Sequence, residues 1–178
     1  MPLSGSCYCG AVKVRAEGDP VVVCLCHCHA CRSWSGSLAS CVTMYMKEQV
    51  QVEGELLEVK EPYAKGYPEA KGTFPAGYSK RKVCSKCFAG VLVQHDPTNM
   101  INVQGGVIDW GDAGFRPTMH VNYTSAIMPI RDGLPKFKDY PGAFGGTDEM
   151  VAEDALAALW GSVNSSLARC LPAEKTQS

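Results

Sequence analysis

Apolar residues recur along most of the chain in short β-branched runs, including Val12-Lys13-Val14, Val50-Gln51-Val52, Val91-Leu92-Val93 and Ile101-Asn102-Val103. Runs this short, bounded by Gly, Pro and Asp, predict strands of antiparallel sheet. Gly18-Asp19-Pro20, Gly105-Gly106 and Arg131-Asp132-Gly133 carry the residue types that tight reversals need. Nothing repeats at a fixed period, so a solenoid is not indicated.

The pattern lapses between Glu61 and Lys82, where Pro62, Gly66, Pro68, Gly72, Pro75 and Gly77 interrupt a stretch with few aliphatics. That predicts a long excursion of the kind that borders a site. Lys65, Lys71, Tyr63, Tyr67 and Tyr78 are candidates to face a ligand there, and a solvated loop accounts for each of them as well. After Gly145-Gly146 the period becomes helical, with Val151, Ala155, Leu159, Val163 and Leu167 in phase, Thr147 as cap, and Asp148 and Glu149 at the positive end. We therefore expect a mainly β domain over 1–146, a C-terminal α-helix within 147–171 and a frayed tail over 172–178. The helix's apolar stripe, widened by Leu156 and Trp160, would pack on the sheet or on a second copy in a homodimer.

A length of 178 residues, 46% hydrophobic, suits one core. A formal charge of −1 and a pI near 6.4 lack the basic excess that a nucleic-acid backbone demands, so no nucleic-acid partner is expected. The longest apolar runs, such as Val21 to Cys26, are too short to cross a bilayer, and MPLSGSCYCG has no leader pattern. A cytoplasmic protein with no membrane partner is the expectation. In a reducing compartment ten cysteines read as metal thiolates or buried thiols, with a secreted disulfide protein as the alternative.

The cysteines fall into three clusters: Cys7-Tyr8-Cys9-Gly10, the run from Cys24 to Cys31, and Cys84-Ser85-Lys86-Cys87. Thiolates two or three positions apart can be aimed at one metal by the turn between them. Cys84 and Cys87 lack local partners, and Cys7 and Cys9 supply them, giving a closed structural zinc site that joins distant segments. Lys80, Arg81, Lys82 and Lys86 could offset its negative charge, or be ordinary surface residues. Cys26, Cys28 and Cys31 crowd three sulfurs into a short run and leave the fourth position open to water or substrate, as a catalytic zinc requires. Cys24, His27, His29, His95 or His120 could instead fill that position, which would make the second site structural too. Three thiolates weaken zinc as a Lewis acid and suit it to capturing a thiolate. Cys41 and Cys170 read as inert buried thiols, His120 as a half-buried structural histidine, and Trp34 and Trp110 as core or pocket wall.

Gly5-Ser6-Cys7-Tyr8-Cys9-Gly10, Cys26-x-Cys28-x-x-Cys31 with Arg32 and Ser35-Gly36-Ser37, and Cys84-x-x-Cys87 together resemble the glutathione-dependent formaldehyde-activating enzyme family, also called the centromere-protein-V-like domain. Gly106-Val107-Ile108-Asp109 and Asp132-Gly133-Leu134-Pro135 look like its later signatures, so the resemblance spans roughly residues 4–140. It implies a β-tent-type fold stapled by structural zinc on Cys7, Cys9, Cys84 and Cys87, with catalytic zinc on Cys26, Cys28 and Cys31. It also implies condensation of formaldehyde with glutathione to S-hydroxymethylglutathione, a carbon–sulfur lyase activity with glutathione as co-substrate. Phe88 stands where the family usually has a glycine at φ > 0, so the knuckle is expected to close differently, through Ala89-Gly90.

Three functions follow as alternatives. The chain is a zinc enzyme acting on a small aldehyde or its thiol adduct, or a zinc hydrolase of an imine or related carbonyl derivative. The third is a non-catalytic binding protein stabilised by two zincs.

Overall fold

The computed structural model describes residues 2–59, 79–96 and 98–152. Among the described residues the fold is mainly β, with two sheets and one α-helix. Strands β1 (Leu3–Ser6), β2 (Lys13–Ala16), β5 (Val50–Glu53) and β10 (Ile108–Asp109) form a four-stranded sheet in the order β10-β1-β2-β5. The second sheet has seven strands. In spatial order these are β11 (Met119–Val121), β3 (Val22–Cys26), β4 (Ser40–Met46), β9 (Met100–Gln104), β8 (Gly90–His95), β7 (Ser79–Cys84) and β6 (Leu56–Val59).

The apolar runs singled out in the sequence coincide with β5, β8 and β9 and overlap β2 from Lys13 on. Every pairing is antiparallel except β11 with β3, which run parallel with Met119 opposite Cys24 and Val121 opposite Cys26. A crossover of many residues separates these two strands, so no tight turn dictates their direction.

Alternation explains the core. Val14 and Ala16 of β2 are buried while Lys13 and Arg15 are exposed, and Val12, Tyr45, Val91, Leu92, Val103 and Ile108 complete an apolar cluster drawn from both sheets. Each fully buried Val or Leu contributes on the order of 1.5–3 kcal/mol of transfer free energy.

The helix α1 (His29–Ser35) was not foreseen. Only seven residues long, it is too short to show helical periodicity. It begins at Cys28, whose Sγ accepts the N–H of Cys31, and ends at Gly36 in the left-handed region at φ 61. Its Trp34 lies against β8 at Gly90, where an added Cβ would stand 2.9 Å from the indole.

The predicted C-terminal helix does not begin at Thr147. Residues 147–152 carry no helix; Val151 donates to the carbonyl of Lys136 and Met150 bridges to Phe137. Thr147 instead donates from its N–H and hydroxyl to Asp139, so the capping residue serves a turn. The remainder of that helix, Cys170 and the excursion carrying Lys65, Lys71, Tyr63, Tyr67 and Tyr78 lie outside the described residues. No helix among the described residues is long and apolar enough to cross a membrane.

Candidate functional site

The first cysteine group is assembled from two turns. After β1 the chain reverses through Cys7–Gly10, with the N–H of Gly10 bonded to the carbonyl of Cys7 and the N–H of Val12 donating to Cys7 Sγ at 3.2 Å. Between β7 and β8 the second turn places Cys84 and Cys87, and the N–H of Lys86 donates to Cys84 Sγ. The four Sγ atoms lie within 4.8 Å of one another. Cys7 to Cys9 is 3.7 Å and Cys9 to Cys84 is 3.8 Å. A tetrahedron with Zn–S bonds of about 2.3 Å has edges of about 3.8 Å, so the donor set fits zinc in both chemistry and spacing. Burial pushes the Cys7 thiol up, but the Val12 N–H and the neighbouring sulfurs outweigh it and bring it down to about 6.

Phe88 closes this knuckle. Its φ is 59, the left-handed conformation expected of a glycine, and its N–H bonds to the carbonyl of Cys84. The expected rerouting through Ala89-Gly90 is therefore corrected: the turn keeps its shape with a non-glycine residue in the left-handed region. The ring is 68% exposed, so nothing crowds it and the cost is confined to the backbone.

The second group comes from one short stretch. Strand alternation brings Cys26 to one face of the large sheet, and Cys28 and Cys31 follow as the cap and first turn of α1, three residues apart on one side of the helix. Their three Sγ atoms lie within 4.8 Å of one another, and no other His, Cys, Asp or Glu among the described residues joins them. Cys24 is two strand residues away, about 6.8 Å along the chain. It stays outside the group, its thiol pushed to about 12 by burial and then by Cys41. Hydrogen bonds from Cys26 and Cys31 bring Cys28 down to about 3, with Arg81 adding to the effect, while Cys26 is pushed up.

This group sits on an unusually polar sheet face. The register places Ser40, Gln104, Asn102 and Arg81 on the same side as Cys26, all of them buried. Ser40 donates to Gln104 at 3.1 Å, and the Arg81 guanidinium lies 5.9 Å from the Trp34 ring centroid. Arg32 donates from Nε to the carbonyl of His27, inside the ligand loop. Asn122, in the left-handed region at φ 53, donates from Nδ2 to Cys26 Sγ at 3.5 Å. Tyr140 packs against the cluster containing Cys24 and Cys26. Burial first, and then Cys26, Cys28 and Cys31, push the Tyr140 phenol well above its ordinary value, whereas Asn122 acts in the opposite direction.

The histidines weighed as fourth ligands do other things. His27 points to the opposite side of the strand from Cys26, and its Nε2 is 2.9 Å from His120 Nδ1. His120 Nε2 is 2.8 Å from Asp132 Oδ2, and Lys136 Nζ donates to the other oxygen. His120 is fully buried rather than half-buried. Burial, then the neighbouring His120, lowers His27 to about 4; Asp132, although burial opposes it, is held at about 2 by His120, Leu134 and Lys136. His95 Nδ1 is 3.1 Å from Ser79 Oγ. None of the nine described cysteines is in a disulfide. The sequence reading did not select Asn122 and Tyr140, and no spacing marks them, since they reach the sulfurs through the parallel strand and the segment after it.

The family model described as glutathione-dependent formaldehyde-activating enzyme matches residues 2–125. No curated protein matches the chain. A Rhodobacter sphaeroides protein of solved crystal structure is similar over 64% of this chain and 97% of its own, at 18% identity and a TM-score of 0.44. With the family's match running through both cysteine groups, the chain belongs to the glutathione-dependent formaldehyde-activating enzyme family.

Proposed function

We propose that the chain holds two zinc ions and catalyses addition of a thiol, glutathione in the first instance, to a small aldehyde such as formaldehyde. That is chemistry of the carbon–sulfur lyase class. The observation carrying this reading is the unequal ligand number. Cys7, Cys9, Cys84 and Cys87 make a complete tetrahedral set, whereas Cys26, Cys28 and Cys31 gather no fourth partner among the described residues. Family membership supports the substrate class.

Zinc held by the three sulfurs would supply a place where a thiol stays ionised at neutral pH. In the overall reaction the sulfur lone pair forms the new C–S bond and the carbonyl π pair moves to oxygen. The proton lost by the thiol ends on that oxygen. The chain's own residues prepare the site. Cys26, Cys28 and Cys31 fix its position, and the Asn122 N–H draws charge from the Cys26 sulfur. Arg81 brings a positive charge to a face that otherwise concentrates negative charge. A cytoplasmic setting belongs to the same proposal, since the thiolates must stay reduced.

The test is formation of S-hydroxymethylglutathione from formaldehyde and glutathione, followed by NMR, with zinc-loaded wild type and Cys28→Ser. Wild type should accelerate the reaction and Cys28→Ser should return it to the uncatalysed rate. Equal rates would rule the proposal out. Turnover of an imine without any thiol would move the assignment to hydrolysis.

A further inference from the structure

The turn Asp132-Gly133-Leu134-Pro135 lies beyond the family-matched residues, yet two imidazoles connect it to the loop that carries Cys26 and Cys28. Its carboxylate is occupied from three directions. Asp132 Oδ1 accepts from the Leu134 N–H and from Lys136 Nζ, each at 3.1 Å, and Oδ2 lies 2.8 Å from His120 Nε2. Lys136 is buried and also donates to the carbonyl of Leu134, which fixes the carboxylate in place. The backbone of His120 is tied to the same segment, donating to the carbonyl of Pro135 and accepting from the N–H of Phe137.

An ionised carboxylate can only accept, so the tautomer assigned to His120 has its hydrogen on Nε2 and leaves Nδ1 as an acceptor. His27 Nε2 donates to that nitrogen at 2.9 Å, from 93 residues away in sequence. Both rings are buried, and Tyr123 packs edge-on against them with centroids 4.7 and 5.3 Å away. His27 Nδ1 has no hydrogen-bond partner among the described residues, so the hydrogen bonding that orients the ring rests on His120. The backbone of His27 is anchored as well. Its N–H donates to the carbonyl of Val121 at 3.0 Å, and its carbonyl accepts from Arg32 Nε at 2.9 Å. With the ring and both peptide groups held, the bonds that decide where Cys26 and Cys28 point have little freedom to rotate.

Resting on the two-zinc reading above, we propose that His120 is a positioning residue of the three-cysteine site: held by Asp132, it locks His27 and thereby the alignment of Cys26 and Cys28 that a metal ion needs. Partners one step behind a metal's ligands typically contribute about 10–100-fold to its affinity. The four-cysteine knuckle is built on other turns, β1 to β2 and β7 to β8, so the effect belongs to the three-cysteine site.

The experiment measures the zinc affinity of the full chain at both sites by competition with a chromophoric chelator, with Cys28→Ser identifying which binding step belongs to the three-cysteine site. Asp132→Ala and His120→Phe should weaken that step about 10–100-fold and leave the other within about twofold. His120→Asn, whose side-chain oxygen is attached to the same carbon as Nδ1 and can accept from His27, should regain most of the loss. A role in the fold alone would neither separate the two sites nor distinguish Asn from Phe. Both steps weakened equally, neither weakened, or Asn no better than Phe overturns the proposal. If His120→Phe does not fold, Asp132→Ala, at a side chain 30% exposed, decides between these outcomes. A wild-type chain that takes up one zinc instead of two fails the two-zinc reading itself.

Discussion

The two cysteine groups differ in how the chain reaches them. The four-cysteine knuckle joins turns whose Cys9 and Cys84 are 75 residues apart, and its outer cysteine Cys9 and neighbouring Tyr8 and Phe88 face solvent. The three-cysteine group spans six residues of sequence and is enclosed by distant ones, from β7, β9, β11 and the segment ending in Tyr140. A metal at the first removes the entropy of a long loop, so it acts mainly on stability. A metal at the second closes only a short loop and sits among buried polar groups, so it acts mainly on chemistry.

The largest expected effect contrasts one ligand from each group. Cys84→Ser should cost several kcal/mol of stability, a fraction of the roughly 10–16 kcal/mol that structural zinc binding supplies. It should be seen as a large drop in the thermal transition. Cys28→Ser should leave that transition nearly in place while zinc content falls from two per chain to one and activity is lost. Equal destabilisation by both would break the comparison.

A smaller effect is expected at Phe88. Its left-handed backbone at φ 59 carries a cost of about 1–2 kcal/mol that glycine does not. Because the ring is exposed, Phe88→Gly should raise the unfolding free energy measured by denaturant titration by about 1 kcal/mol without changing activity. A decrease would show that the exposed ring is held by a contact.

A pH effect is expected on the three-cysteine face. Burial first, then Arg81, lowers His95 from 6.5 to about 4. The unfolded chain therefore takes up this proton before the folded one. Its contribution to stability is complete above pH 6.5, falls as the pH drops through the window and levels off below about 4. His95→Gln should flatten the slope of unfolding free energy against pH within that window, measured by urea unfolding. An unchanged slope would place the acid sensitivity elsewhere.

Much of this was readable from residues alone, and the failures have physical causes. The cysteine spacings pointed to both cysteine groups that the structure brings together, because each half-site is a local turn whose geometry follows from neighbouring residues. Helix α1 escaped notice because seven residues make just under two turns, and its cap is a cysteine. Thr147 looked like a helix cap because an N-cap and a turn call on the same side-chain hydrogen bonding; Asp139, eight residues earlier, claims it instead. Phe88 looked incompatible with its knuckle because propensity counts the backbone cost without the surrounding pairing of β7 and β8 that outweighs it.

By itself, then, the sequence determined which side chains can hold metal, that the fold is mainly β and which family the chain resembles. Those properties depend on contacts a few residues long or on the period of burial. The tertiary structure decided that no described histidine completes the three-sulfur set, that His120 is hydrogen-bonded between His27 and Asp132, and that Asn122 and Tyr140 stand beside the sulfurs. These follow from a parallel strand pairing and a crossing segment, whose partners lie tens of residues apart and leave no periodic trace in the chain.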